Sequence, residues 1–191
     1  MSRLEGLRPD QLDTEQRGVY AEIVGGRRSL QQLFTLRQPD DTLAGPFNAM
    51  LYAPAVGGPL SRLGEAIRYD SSLGAREREV AVLTVAAMCG AEYEWYAHER
   101  VGSALGLRPD EIDALRNPTT AVLPDEREEA VREVAVLLVL GDDIGPAKYQ
   151  HLRDRLGVGP LVEVVALVGY YRLLADVLRL FDVGVPGSRI R

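Results

Sequence analysis

The sequence predicts an all-α fold, and two patterns carry this prediction. Apolar residues recur at helical spacing, for example at Val131, Val134, Ala135 and Leu138, which follow the i, i+3, i+4, i+7 pattern of one helix face. No segment shows the sustained apolar/polar alternation that is typical of a half-buried strand. Glycine and proline punctuate the helical segments, as they do where helices end and begin. We therefore predict a helical bundle without a sheet.

The first 75 residues are predicted to be the less regular part of a single domain that spans residues 1–191. A chain of 191 residues is long enough for one domain with a sizeable core and short for two. The helices expected in this part begin at Pro9, at Thr14, at Asn48 after a polar loop over residues 27–43, and at Pro59.

From residue 76 to residue 183 the helical signal is stronger. The segment 76–89 is apolar on nearly all sides after Glu79, which predicts a helix in the middle of the core. Gly90 is a natural helix end, so the next helix is expected to fold back against the first. The helices expected in this part cover residues 76–89, 91–105, a short segment from 109, 124–140, 146–156 and 160–183.

Composition excludes several classes of protein. The net charge is −6 and the charged residues of both signs are interspersed, so no basic stripe offers a surface for nucleic acid. No apolar run approaches the roughly 20 residues of a membrane span, and the first residues lack the apolar core of a signal peptide. A single cysteine and two histidines without metal-ligand spacing indicate no disulfide and no metal site. A cytoplasmic enzyme or binding protein remains, with a small molecule as its partner.

The chemistry-bearing residues lie between Arg76 and Gly106. Glu94 and His98 are four residues apart and share one helix face, where a carboxylate fixes the tautomer of an imidazole and raises its pKa. Glu79 brings a second carboxylate if the two helices pack antiparallel. By spacing alone, an exposed Glu94–His98 pair and an ordinary first-turn glutamate at position 79 are the favoured explanation of the pattern.

These residues resemble a known pattern, that of the alkylhydroperoxidase D-like superfamily. Its fold carries a glutamate, a cysteine twelve residues later, a second cysteine three further on, and a histidine four after that. The matching positions here are Glu79, Ala91, Glu94 and His98, so the glutamate and histidine are kept and both cysteines are replaced. The surrounding residues look like the carboxymuconolactone decarboxylase-like branch that lacks the two cysteines. Similarity extends to Gly45–Asn48 and to residues 163–185.

The resemblance implies an all-α, alkylhydroperoxidase D-like helical bundle that assembles as a homo-oligomer, a trimer or hexamer. The nearly all-apolar helices 76–89 and 160–183 are expected to supply the contacts between copies. The implied activity is that of a cofactor-free lyase or isomerase acting on a small carboxylated or lactone-like molecule. Loss of the CxxC pair argues against a disulfide-cycling peroxidase, which needs a low-pKa thiolate and a resolving thiol.

The leading hypothesis assigns proton transfer to Glu79, Glu94 and His98, with His98 as the acid. Arg76, Arg78 and Arg100 are candidates for holding a substrate carboxylate. The residues expected to contact substrate are Asn48, Tyr52, Tyr93 and Arg100.

Two alternatives remain open at this stage: a thiol-dependent peroxidase using Cys89, and an oligomer that binds a small molecule or serves a structural role without turnover. Cys89 sits in an apolar helix end, where a free cysteine usually fills space. His151 lies among polar neighbours and is expected at the surface. Glu163 is expected either to satisfy first-turn amides of its helix or to be a buried carboxylate at a helix junction or subunit interface.

Overall fold

The computed structural model describes residues 2–30, 33 and 35–185 and shows an all-α fold, as the sequence predicts. Among these residues the only paired extended backbone is an isolated bridge between Arg37 and Leu43. The helices are α1 (Thr14–Gly25), α2 (Phe47–Leu51), α3 (Pro54–Tyr69), α4 (Ala75–Cys89), α5 (Glu92–Ala104), α6 (Pro109–Leu115), α7 (Glu126–Leu140), α8 (Pro146–Leu156) and α9 (Val158–Leu180).

Helix α4 is the centre of the bundle, because its apolar surface is covered on two opposite sides. Ala81, Val82 and Val85 pack into the larger apolar cluster, which includes residues of α1, α2, α7 and α9. Val80 and Leu83 face a second cluster with α5 and α6. All residues from Val80 to Ala86 are buried, so the nearly uniform apolar sequence of this helix reflects a position with no solvent face.

The turn at Gly90 sets the geometry of the site. Gly90 adopts a left-handed conformation, with φ at 63°, where a residue without Cβ is favoured. The amide of Ala91 donates to the carbonyl of Ala86 and closes the end of α4. Helix α5 begins two residues after this turn, and a connection so short makes the two helices antiparallel neighbours. Glu79 on α4 is thereby placed against the face of α5.

The region before α4 is more helical than the sequence indicates. Helix α3 begins at Pro54 rather than at Pro59, and Pro59 is accommodated inside its first turns. Gly57 allows α3 to pack closely against α2, because a Cβ at this position would lie 2.1 Å from the carbonyl oxygen of Met50 in α2. The predicted loop also contains a short 3₁₀ helix, Arg27–Leu30. Residues 31, 32 and 34 of that loop, and residues 186–191, lie outside the described residues.

Glu163 joins α9 to the turn that precedes α4. Its carboxylate accepts hydrogen bonds from the hydroxyls of Ser71 and Ser72 and from the amide of Ser72, at 2.8–3.1 Å. Partial burial opposes ionisation, but these donors outweigh it and lower the pKa of the carboxyl. Of the two roles expected from the sequence, Glu163 therefore fills that of a carboxylate at a helix junction.

No helix in the described part of the chain is both long enough and apolar enough to cross a membrane.

Candidate functional site

His98 lies between two carboxylates at the centre of the candidate site. Its Nδ1 is 2.6 Å from Oε2 of Glu79, across the α4–α5 contact. Its Nε2 is 3.5 Å from Oε2 of Glu94, one turn earlier on α5. The first distance is that of a strong, charge-assisted hydrogen bond, whereas the second is at the limit for a hydrogen bond. Nδ1 is thus firmly held by Glu79, and Nε2 is held only loosely.

All three side chains are removed from water. The exposed fractions of Glu79, Glu94 and His98 are 4%, 4% and 6%. Burial by itself disfavours the imidazolium and lowers the pKa of His98. The charge of Glu79 and the hydrogen bond to it, with a further contribution from Glu94, outweigh this effect and raise the pKa to about 9. His98 is therefore a protonated, buried acid at neutral pH.

Three tyrosines form much of the wall around His98. The ring of Tyr171 meets the imidazole edge-on, with ring centroids 5.1 Å apart, and Tyr170 packs edge-on against Tyr171. Tyr93 lies on the same cavity. Burial raises the pKa of Tyr170 to about 12 and also raises the pKa values of Tyr93 and Tyr171. The phenols are therefore neutral hydrogen-bonding groups near pH 7, not bases.

The cavity enclosed by these residues has a volume of about 40 Å³. This exceeds the roughly 10–15 Å³ that one water molecule needs, so it has room for the reactive end of a small molecule. One carboxylate oxygen of Glu94, Oε1, is buried, and no group among the described residues donates a hydrogen bond to it. A bound molecule with an O–H or N–H group would satisfy this atom.

Two arginines that sequence reasoning missed line the cavity. Arg28 comes from the 3₁₀ helix after α1, and Arg68 comes from the last turn of α3. Arg28 is 5% exposed and donates to the hydroxyl and the carbonyl of Ser61, at 3.2 and 3.0 Å. Burial opposes the charged form of Arg68, but Tyr171 and Glu79 outweigh it and raise its pKa. Neither residue lies near Glu94 or His98 in sequence, and no local motif marks them.

The arginines proposed from the sequence are placed elsewhere. Arg76 forms ion pairs with Glu128 and Glu111, at 2.7 and 3.3 Å. Arg78 donates to the carbonyl of Leu73. Arg100 is exposed and donates to the carbonyl of Tyr96, whose ring it also covers. Their sequence proximity to His98 was misleading, because each points along or away from its helix and none lines the His98 cavity.

Of the other predicted substrate contacts, only Tyr93 lies on the His98 cavity. Asn48 accepts from the amide of Leu7 and donates to the carbonyl of Glu5. The hydroxyl of Tyr52 donates to the same carbonyl, and its side chain is largely exposed. Both residues therefore hold the N-terminal segment against α2. Asn48 also borders a separate surface groove of about 440 Å³.

Cys89 occupies the last turn of α4 and does not line the cavity. Partial burial raises the pKa of its thiol, which is opposite to the shift that a reactive thiolate requires. The position that matches the first cysteine of the superfamily pattern is Ala91, a buried apolar residue. His151, the other histidine, is exposed on α8. In the described part of the chain, no group of three or more His, Cys, Asp or Glu residues is arranged to hold a metal ion.

The sequence matches the model of the Carboxymuconolactone decarboxylase family over residues 54–137, a range that contains Glu79, Glu94 and His98. No curated protein matches the chain.

Solved structures of three other proteins share the fold over nearly the whole chain. One is an uncharacterized peroxidase-related protein from Ralstonia eutropha JMP134, described as an alkylhydroperoxidase AhpD core. It has a TM-score of 0.75 at 16% identity, and the match covers 97% of this chain and 93% of that protein's chain. A peroxidase-related protein from Silicibacter sp. TM1040 has a TM-score of 0.74 at 15% identity, with 97% and 92% covered. The apo debrominase Bmp8 has a TM-score of 0.71 at 11% identity, with 95% and 91% covered.

Proposed function

We propose that the chain, which matches the Carboxymuconolactone decarboxylase family model over residues 54–137 and shares its fold with an alkylhydroperoxidase AhpD core, is a cofactor-free lyase or isomerase. Its substrate is a small carboxylated or lactone-like molecule. The reaction proceeds by general acid/base chemistry at His98, with Glu79 and Glu94 as its partners.

One observation carries this proposal: a buried histidine that lines a cavity has one nitrogen fixed by a carboxylate and the other held only loosely. The 2.6 Å contact with Glu79 orients the ring and favours its protonated form. The looser 3.5 Å contact leaves the Nε2 proton available for transfer to a bound molecule. A purely structural ion pair has no need of a cavity beside the loosely held nitrogen.

In the decarboxylation that we propose, the carbon–carbon bond to the substrate carboxylate breaks and CO₂ leaves. The electron pair of that bond remains on the substrate carbon, where an adjacent unsaturated carbonyl delocalises it. His98 then transfers its Nε2 proton to this carbon and becomes neutral, and a proton from solvent restores the imidazolium. Glu79 keeps the imidazole oriented throughout, and the walls limit competing protonation by water.

The test is turnover of carboxymuconolactone, followed by CO₂ release. We expect wild type and the Cys89→Ser variant to release CO₂ at equal rates, since Cys89 lies away from the cavity. The same two proteins should show no difference in hydrogen peroxide consumption. Peroxide consumption that depends on Cys89, without CO₂ release, would replace this proposal with a thiol peroxidase.

We also expect the protein to form a homo-oligomer through α9, as a trimer or hexamer. The sequence suggested that both α4 and α9 face other copies, but α4 is covered within the chain by α5, α7 and α9. Helix α9 instead exposes a row of apolar side chains, which favours a protein contact. The row consists of Val158, Val162, Val165, Leu173 and Leu180, exposed by 42–62%.

Light scattering at micromolar concentration is expected to give a mass three or six times the 21.0 kDa of one chain. Val165→Glu should shift the protein toward the monomer, because it places a charge in the apolar row. Val56→Glu is the matched control, since Val56 is also an exposed valine and lies on α3 outside this row. A monomeric wild type would contradict the prediction.

A further inference from the structure

A buried cation on the wall of the His98 cavity has no ion-pair partner among the described residues. Arg28 is 5% exposed, and within the described residues its hydrogen bonds go to Ser61 and it forms no ion pair. The charge of Arg28 acts on the carboxylate of Glu65, but that carboxylate forms its hydrogen bonds with the amide and the guanidinium of Arg27. A buried charge without a counter-ion is costly, and such groups are normally paired.

The charges around the cavity do not supply that counter-ion. His98 and Arg68 are the other two cations, and their fields act with those of Glu79 and Glu94. Glu79 and Glu94 thus act on His98, and no carboxylate that lines this cavity forms an ion pair with Arg28. A buried arginine without an ion pair on a cavity wall favours a ligand with a negatively charged group.

The orientation of Arg28 suits a carboxylate ligand. Ser61 accepts from both terminal nitrogens of the guanidinium, and the ring of Phe47 lies beneath it with the centroid 5.4 Å from Cζ. These contacts fix the plane of the guanidinium and use only part of its five N–H donors. A fixed, planar set of donors matches the two oxygens of a carboxylate.

A second buried group points to the rest of the ligand. Oε1 of Glu94 is buried on the same cavity and has no donor among the described residues. An ionised carboxylate only accepts hydrogen bonds, so its partner must carry an O–H or N–H group. The ligand that satisfies both ends of the cavity is an anion at one end and a donor at the other.

We propose that Arg28 is the anion-binding residue of this cavity and that, with Glu94, it selects a small hydroxycarboxylate. The proposal rests on the proposed function, because it concerns the same cavity, and it adds the residue and the ligand class that decide recognition. Arg28 is a positioning residue in this assignment: it holds the ligand while His98 handles the proton.

The test is an NMR titration that follows the imidazole resonances of His98, with exposed His151 as the internal reference. The probes are glycolate, acetate, which lacks the hydroxyl, and glycolamide, which lacks the charge. We expect glycolate to shift the His98 resonances saturably at millimolar concentrations and to leave those of His151 in place. Acetate should bind several-fold more weakly, and glycolamide at least tenfold more weakly.

Arg28→Gln should weaken glycolate binding at least tenfold, whereas Arg62→Gln should leave it unchanged. Arg62 is the matched control, because it is an exposed arginine adjacent to Ser61 that pairs with Glu22. Arg28→Lys keeps the charge but loses the planar donor set, so intermediate affinity is expected. Glu94→Ala should abolish the preference for glycolate over acetate while it retains binding of both.

Equal affinity for glycolate and glycolamide, unchanged glycolate affinity in Arg28→Gln, or no saturable shift of His98 in the wild type would each overturn the assignment. If Arg28→Gln does not fold by circular dichroism, the probe series on wild type and on Ser61→Ala decides the question. Ser61→Ala removes one hydrogen bond to the guanidinium and is expected to weaken glycolate binding but not glycolamide binding.

The titration measures equilibrium binding and does not depend on turnover. Saturable glycolate binding without CO₂ release from carboxymuconolactone would leave this assignment standing and reject the proposed reaction. CO₂ release that is unaffected in Arg28→Gln would support the proposed reaction and reject the assignment of Arg28.

Discussion

Replacing His98 with glutamine is expected to lower kcat/KM for CO₂ release by about 10²–10⁴-fold, the usual contribution of a positioned general acid. The imidazole is the one group in the cavity that is both protonated near neutral pH and loosely held on its reactive nitrogen. Glutamine preserves a polar side chain of similar length but has no transferable proton in this pH range. Steady-state kinetics with carboxymuconolactone provides the measurement.

The matched control for this variant is His151→Gln, which changes the chain's other histidine at an exposed position on α8. Its kcat/KM should equal that of the wild type. A His98→Gln variant that retains full activity would show that the reaction does not pass through this site. The loss must also occur in a folded protein, which circular dichroism and oligomer mass establish.

The Glu79→Gln variant distinguishes the part that Glu79 plays in orienting His98 from the proton transfer by His98 itself. In the wild type, kcat/KM should fall as pH rises through about 9, where His98 loses its proton. Without the charge of Glu79, burial dominates and the pKa of His98 falls, so the decline should begin at a lower pH. A variant with reduced activity but an unmoved pH profile would mean that Glu79 supports the fold alone.

The second large effect is a loss of stability at alkaline pH. The folded-state pKa of His98, about 9, lies above the unfolded value near 6.5. The folded protein therefore binds the proton more tightly, and its contribution is fully present below pH 6.5. It is lost as pH rises through 9 and amounts to about 3 kcal/mol in the free energy of unfolding.

Urea unfolding between pH 6 and pH 10 measures this effect. The wild type should lose stability across the interval, while His98→Gln should be less stable at pH 6 and change much less with pH. The comparison isolates the contribution of His98 from those of all other titratable groups, since both proteins share them. Parallel curves for the two proteins would show that His98 is not held as an imidazolium.

The central part of this fold and half of its site follow from local sequence. The uniformly apolar run from Val80 to Ala86 predicts a helix without a solvent face, and α4 occupies that position. The four-residue spacing of Glu94 and His98 places them on one face of α5. Gly90 permits the left-handed turn that brings Glu79 to the same point. These are properties of helix geometry and of single residues, so a sequence expresses them directly.

The tertiary structure alone decided what surrounds His98. Arg28 reaches the cavity from a segment that the sequence marked only as a polar loop, and Tyr171 arrives from α9, 73 residues after His98 in the numbering. The nearer arginines at 76, 78 and 100 were natural candidates, yet ion pairs and backbone carbonyls engage them. Which charge enters a cavity depends on how distant helices pack and on which carboxylates are already paired. Helix packing and carboxylate pairing both depend on many contacts between residues far apart in the sequence, so the spacing of nearby residues does not predict them.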